Sequence, residues 1–201
     1  MKQSTQNQPL GKIERLHPHF TLLYLGIVGS SLIFLFLGLS FVLSLVKSMG
    51  PVAFPRFFAL STIVLLFGSF VAQKLPTNFA KDQVGQLRAN LQLLLLCSGL
   101  FLVSQLLGWY ELTSSGVLFR NNTSGALLYI LSGLHLLHLL AGVVYNAVLV
   151  VQAGAMQADP VKALVVLSSP YEHLKIKMLV TYWHFLDVVW LVLFLIFLFT
   201  I

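Results

Sequence analysis

The sequence predicts an all-α membrane protein, a polytopic bundle of five transmembrane helices with the N-terminus inside and the C-terminus outside. Three observations predict it. Residues of the AVILMFWYC set make up 58% of the 201-residue chain and charged residues only 9%, where a soluble domain carries about 25% charge. Six acids and twelve bases cannot cover a water-exposed surface of this size, and disorder needs the opposite composition. Five stretches are apolar over the roughly 20 residues that a helix needs to cross a bilayer, and the bases are unevenly shared between the loops.

The polar segment 1–19 precedes the first span and is expected to lie in the cytoplasm, leaving 20–201 as a single transmembrane domain. The first span runs over about 20–46 and is too long for the apolar core of a secretory signal, about 7–15 residues. The second covers about 53–72 and has Pro55 near its start, where proline is tolerated. The third covers about 91–109, the fourth about 125–151 and the fifth about 178–201. Gly26, Gly29, Ser30 and Ser31 interrupt the first span, and Gly133, Ala141 and Gly142 the fourth. Small residues let helices approach closely in lipid, so both groups predict tight packing inside the bundle. The connection 152–177 contains Asp159-Pro160, a helix-start signal, so 161–167 is expected to form a short helix on the membrane face. The single Cys97 excludes an internal disulfide framework and a CxxC metal site.

Orientation follows from Lys and Arg. With the N-terminus inside, the inner segments hold nine: Lys2, Lys12, Arg15, Lys74, Lys81, Arg88, Lys162, Lys175 and Lys177. The outer segments hold three, Lys47, Arg56 and Arg120. That bias marks the cytoplasmic side. The net charge of +6 is therefore orientation information, and no basic run interleaved with aromatics supports a nucleic-acid partner.

Ionisable groups are costly in hydrocarbon and direct attention to His135, His138, His184 and Asp187. Glu111 and Glu172 fall at span edges. His135 and His138, spaced i, i+3, share one helix face. They could be metal ligands, haem axial ligands or interhelical hydrogen-bonders. A metal site wants at least three protein ligands at matched depth. His138 stands thirteen residues from the inner end of its span and His184 six from that of its own. At about 1.5 Å per residue the two differ in depth by about 10 Å, which disfavours a shared haem or metal. His184 and Asp187 are also i, i+3, and pairing is what makes a buried carboxylate tolerable. They are expected to form a local polar clasp. Tyr182, Trp183 and Trp190 are read as packing groups or aromatic anchors. No nucleophile–base pair assembles into an active site.

Four strings carry a resemblance. Tyr182-Trp183-His184-Phe185-Leu186-Asp187-Val188-Val189-Trp190 resembles the YWHFVDVVW signature in the last helix of haem–copper oxidase subunit III. Ser132-Gly133-Leu134-His135-Leu136-Leu137-His138-Leu139-Leu140-Ala141-Gly142 is similar to that family's TGxHxxHxxxG segment. Gln105 to Trp109, with Leu112 and Gly116, resembles its QxxxWxxLxxxG region, and Ser61-Thr62 with Gly68-Ser69 a weakened NTxxLLxSS. The five spans and their orientation are those of the short bacterial form of this subunit. The resemblance implies a non-catalytic subunit of a respiratory terminal oxidase in the bacterial inner membrane. Such a subunit binds no haem or copper itself, since these sit in partner subunits. It packs on oxidase subunit I, joins the other oxidase subunits, and holds phospholipid in a cleft between its helices. It supports oxygen reduction to water and proton pumping by the core. Its contact residues would be Gln105, Trp109, His135, His138, Trp183, His184, Asp187 and Trp190. The family usually carries an acid after a serine in the helix matching the first span. Here the stretch reads Gly29-Ser30-Ser31-Leu32 without one. Two other readings compete: a cytochrome b-type anchor holding haem or quinone through the three histidines, and the accessory membrane protein of nitric oxide reductase.

Overall fold

A computed structural model describes residues 18–45, 55–117 and 123–200. It contains seven helices in the described residues: α1 (Pro18–Leu45), α2 (Arg56–Ala72), α3 (Leu75–Ala80), α4 (Val84–Ser114), α5 (Thr123–Ala158), α6 (Pro160–Leu167) and α7 (Pro170–Thr200). No strand occurs among these residues. Five helical stretches, with α3 continuing α2, are long and apolar enough to cross a membrane. The chain is a multi-pass membrane protein. Almost all of the polar segment 1–19 lies outside the described residues, as do Lys47, Arg120 and positions 53 and 54 of the second expected span.

The helices overrun the expected spans. The third begins at Val84 instead of 91 and ends at Ser114 instead of 109; the fourth continues to Ala158 and the last starts at Pro170. An apolar run measures hydrocarbon thickness, whereas the helical ladder needs only successive backbone partners. It stops where a cap stops it. At the end of α4, Gly116 takes φ +82, the Gly116 amide donates to the Thr113 carbonyl (3.2 Å) and the Val117 amide to Leu112 (3.1 Å). This left-handed turn favours glycine. At α6 the Asp159 carboxylate accepts from the amides of Val161 (2.9 Å) and Lys162 (3.3 Å), and Pro160 fills the first helical position. The helix expected over 161–167 is thus present, but the loop around it shrinks to Asp159 and Ser168-Ser169. The short α3 was not legible, because its proline reads as a breaker; Pro76 sits in the first turn, where it costs no hydrogen bond.

α7 lies centrally, packing on α1, α2 and α5, while α4 sits between α2 and α5. Its face buries Trp183, Leu186, Trp190, Leu193 and Phe197. Edge-to-face rings knit the centre: Phe58 to Trp190 at 5.7 Å, Phe101 to Trp190 at 5.2 Å and Phe41 to Phe197 at 5.4 Å. In lipid the helices gain little hydrophobic drive from meeting, so such close-range packing carries the association.

The glycines divide. A Cβ on Gly142 would lie 3.2 Å from the Tyr182 ring, and one on Gly133 would lie 3.7 Å from Trp109, so the close approach expected for the fourth span holds. The expectation fails for Gly26 and Gly29, where a Cβ would meet nothing within 4 Å. The inward face of α1 is instead Phe34, Gly38 and Phe41, one face by helical spacing. Only 11% of the most apolar stretch of α1 is buried, against 33–44% for the other four spans.

Candidate functional site

One local device recurs where helices meet. A Ser or Thr hydroxyl donates to a carbonyl of its own helix one turn back, and its lone pairs then accept from a donor on a neighbouring helix. Ser61 donates to the Phe58 carbonyl (2.8 Å) and accepts from Gln105 Nε2 (2.9 Å). Thr62 donates to the same carbonyl (2.8 Å) and accepts from Trp190 Nε1 (3.0 Å). Ser132 donates to the Leu128 carbonyl (2.8 Å) and accepts from Trp109 Nε1 (3.0 Å). These relays join α4 to α2, α7 to α2 and α4 to α5. Each hydroxyl accepts from a buried or half-buried indole or amide without breaking a helical hydrogen bond, which matters where no water is available.

The histidines do not share a site. His138 Nδ1 lies 2.8 Å from the Leu134 carbonyl, which can only accept, so the proton sits on Nδ1. In the neutral ring Nε2 then accepts from the Ser30 hydroxyl of α1 at 3.1 Å. His135 is fully buried against Trp190 (ring centroids 5.2 Å), Phe101 (5.7 Å) and Phe34 (6.5 Å), and neither ring nitrogen finds a hydrogen bond among the described residues. His184 turns to α2, its Nδ1 sharing a hydrogen bond of 3.0 Å with the Ser69 hydroxyl. The three imidazoles therefore face three different neighbours, an arrangement that fits neither a bis-histidine haem nor a common metal. Among the described residues, no group of three or more His, Cys, Asp or Glu gathers around one point.

The depth difference expected between His138 and His184 is corrected by the packing. Gly142 packs on Tyr182 and Leu186, Tyr182 Oη donates to the His138 carbonyl (2.8 Å), and His135 meets Trp190. His138 thus runs beside the stretch of α7 that contains His184. The two differ in direction, and much less in depth than expected. The error came from taking 178 as the inner end of the last span; α7 starts at Pro170, and Tyr145 Oη already bonds the Lys175 carbonyl (3.2 Å).

The expected clasp is present and has a third member. His184 Nδ1 lies 3.4 Å from Asp187 Oδ2 as well as against Ser69. Asp187 is 6% exposed, and its carboxylate meets the Ser69 hydroxyl as well as the histidine. Trp183 and Trp190 are packing groups, both buried. Two contributors escaped the sequence reading, and a third, Ser69, stood in a motif string with no link to the clasp. Phe58 supplies the carbonyl shared by two relays. Asn146, fully buried, donates to the Leu91 carbonyl (3.1 Å). Ser69 completes the clasp. All are uncharged, and a search for ionisable groups passes over them.

Between α1 and α7 runs an apolar groove of about 490 Å³, bordered by Phe34, Gly38 and Val42 on one side and Val188, Val192 and Ile196 on the other. Ser31 also lines it. Its hydroxyl turns back to the Ile27 carbonyl (2.7 Å), so the groove wall is aliphatic at this point.

A sequence model of the family described as cytochrome c oxidase subunit III matches residues 20–200. The cytochrome c oxidase subunit 3 of Corynebacterium diphtheriae is 28% identical over 134 residues, 67% of this chain and 60% of that protein. The probable cytochrome c oxidase subunit 3 of Nocardia farcinica is 29% identical over 133 residues, 66% of this chain and 61% of that protein. The cytochrome c oxidase subunit 3 of Thermostichus vulcanus is 27% identical over 138 residues, 67% of this chain and 61% of that protein. The chain thus spans about 60% of the length of the curated relatives it matches. The family match runs from the first span through the last, and the motif residues are those that tie the spans to one another; the chain belongs to the cytochrome c oxidase subunit III family.

Proposed function

We propose that the chain is a non-catalytic subunit of a respiratory haem–copper oxidase in a bacterial inner membrane, with its N-terminus in the cytoplasm. It stabilises oxidase subunit I, while haem and copper reside in the partner chains that reduce oxygen and pump protons. One observation carries this reading: the motif residues Gln105, Trp109, Ser132, Trp183 and Trp190 are engaged in helix contacts, the work of a scaffold. The aliphatic groove between α1 and α7 suits a phospholipid acyl chain. The bias of nine bases to three supports the orientation.

The test is haem per chain by redox difference spectroscopy on a tagged preparation in mild detergent, before and after stripping to the single polypeptide. Haem is expected to leave with a larger chain. Haem retained by the 22.3 kDa chain would establish the cytochrome b reading instead.

His184→Ala and Asp187→Ala are each expected to lower retention of this chain in the purified assembly and leave the haem spectrum of the core unchanged. Removing one member of a buried pair costs about 3–5 kcal/mol in soluble proteins, whereas interhelical hydrogen bonds in one membrane protein average about 0.6 kcal/mol. The part-exposed His184 side chain places its effect toward the lower figure. Asp187→Ala has the larger expected loss; unchanged stoichiometry through repeated detergent washes would refute the clasp.

A further inference from the structure

α6 places an apolar face where lipid must meet it. Val161, Leu164 and Val165 are 72%, 68% and 66% exposed. They are not held up in the water phase, because α6 folds back along α5. Val166 lines a narrow cleft with Leu149 and Ala153 of α5 and Ile176 of α7, so the C-terminal turn of α6 reaches the level where the apolar run of α5 ends. On α5 itself Val144, Val148 and Val151 are exposed on one face, spaced i, i+4, i+7. That lipid-facing stripe continues one turn further into Ala155, and Ala155 opens a groove of about 290 Å³ against Val161, Val165 and Val166. The groove is continuous with the membrane-facing surface of a spanning helix. It has room for a length of hydrocarbon chain and not for a helix about 10–12 Å across.

Lys162 stands on the same groove. It makes no ion pair among the described residues. The nearest acid in sequence, Asp159, already receives two backbone amides of α6 on one oxygen. The same end of the bundle carries Lys74, Lys81, Arg88, Lys175 and Lys177, of which Lys175 is paired with Glu172. A basic rim beside an aliphatic groove is complementary to an anionic lipid.

We propose that α6 is a membrane-surface helix and that the groove between α5 and α6 holds an acyl chain of an anionic phospholipid whose phosphate rests on Lys162. This deepens the phospholipid part of the proposed function and places a lipid away from the groove between α1 and α7.

The test uses the full chain in its purified complex, placed in nanodiscs of phosphatidylcholine containing a minor share of phosphatidylglycerol. Cys97 is buried, so a Leu164→Cys variant gives this chain one accessible thiol, and the spin label on it is read against the same complex with Leu164 intact. The label is expected to be relaxed by oxygen and shielded from a water-soluble nickel chelate. Strong nickel relaxation would put α6 in water, and shielding from both reagents would put a protein on it; either overturns the proposal. Native mass spectrometry is expected to show several-fold less retained phosphatidylglycerol for Lys162→Gln, with phosphatidylcholine unchanged. Val165→Trp, which fills the groove, should lose the retained lipid altogether. Equal lipid retention in all three proteins would overturn it. Co-purification of a haem-bearing chain is scored separately, so failure of the lipid site leaves the subunit reading standing, and the reverse holds too.

Discussion

Gly108→Ala is expected to lower the thermal midpoint of the purified chain sharply, although it adds one methyl group. A Cβ at this position would lie 2.4 Å and 2.5 Å from two ring carbons of Phe58, far inside van der Waals contact. The ring cannot swing away. It is fully buried, with Trp190 at 5.7 Å and Phe197 at 6.2 Å on its other sides. Backbone separation of α2 and α4 is the remaining relief, and it would stretch the hydrogen bond from Gln105 to Ser61 on the same pair of helices. Overpacking costs about 1–3 kcal/mol and occasionally more, and a rigid aromatic neighbour places this case at the top of that range. Thermal unfolding in detergent measures it. The clash has a matching rescue: Phe58→Leu in the Gly108→Ala background should regain part of the loss, while Phe58→Leu alone destabilises. An unshifted midpoint for Gly108→Ala would show that α2 and α4 do not pack this closely.

Trp190→Ala is the second large effect, and its comparison with Trp190→Phe decides what the residue contributes. The indole touches rings from three other helices, Phe58, Phe101 and His135, and its Nε1 donates to Thr62. Truncating a buried large aromatic costs about 3–5 kcal/mol in soluble cores. The hydrogen bond accounts for much less, about 0.6 kcal/mol on the membrane-protein average. Trp190→Phe keeps most of the ring contacts and loses the bond, so it should retain most of the stability; Thr62→Val should resemble it. If Trp190→Phe were as damaging as Trp190→Ala, the relay through Thr62 would outweigh the packing. The measurement is again the melting midpoint, with retention in the assembly as a second readout.

Composition and apolar length were enough to place five spans, because lipid leaves so few residue types for a membrane interior. Asp159-Pro160 announced α6 because capping is a local event. The motif strings located most of the residues that meet at the centre. Their pairings were not legible. Which donor a given hydroxyl accepts depends on the rotation of each helix about its axis, and neighbouring spans here are apolar nearly all round, so hydrophobic periodicity carries little rotational information. That is why His138 was not connected to Ser30, nor Ser69 to His184. The false depth difference between His138 and His184 has a related origin: an apolar run ends where hydrocarbon ends, and α7 does not. Gly108 stood inside a recognised motif, yet its reason, the ring of Phe58 against it, belongs to another helix.

The position of α1 has a consequence for biogenesis. Its packing partners are α5 and α7, both made after α2 and α4. α2 and α4 can pair as soon as they emerge, whereas α1 enters the bilayer well before either of its neighbours exists. With roughly 5–20 residues added per second, α7 is completed on the order of ten seconds after α1. Until α5 emerges, α1 stands in lipid without either of these partners. The most apolar of the five spans, it holds no charged side chain, and its hydroxyls at Ser31, Ser40 and Ser44 are returned to its own carbonyls. A span with a carboxylate there would need a companion at once. This one can wait for α5 and α7.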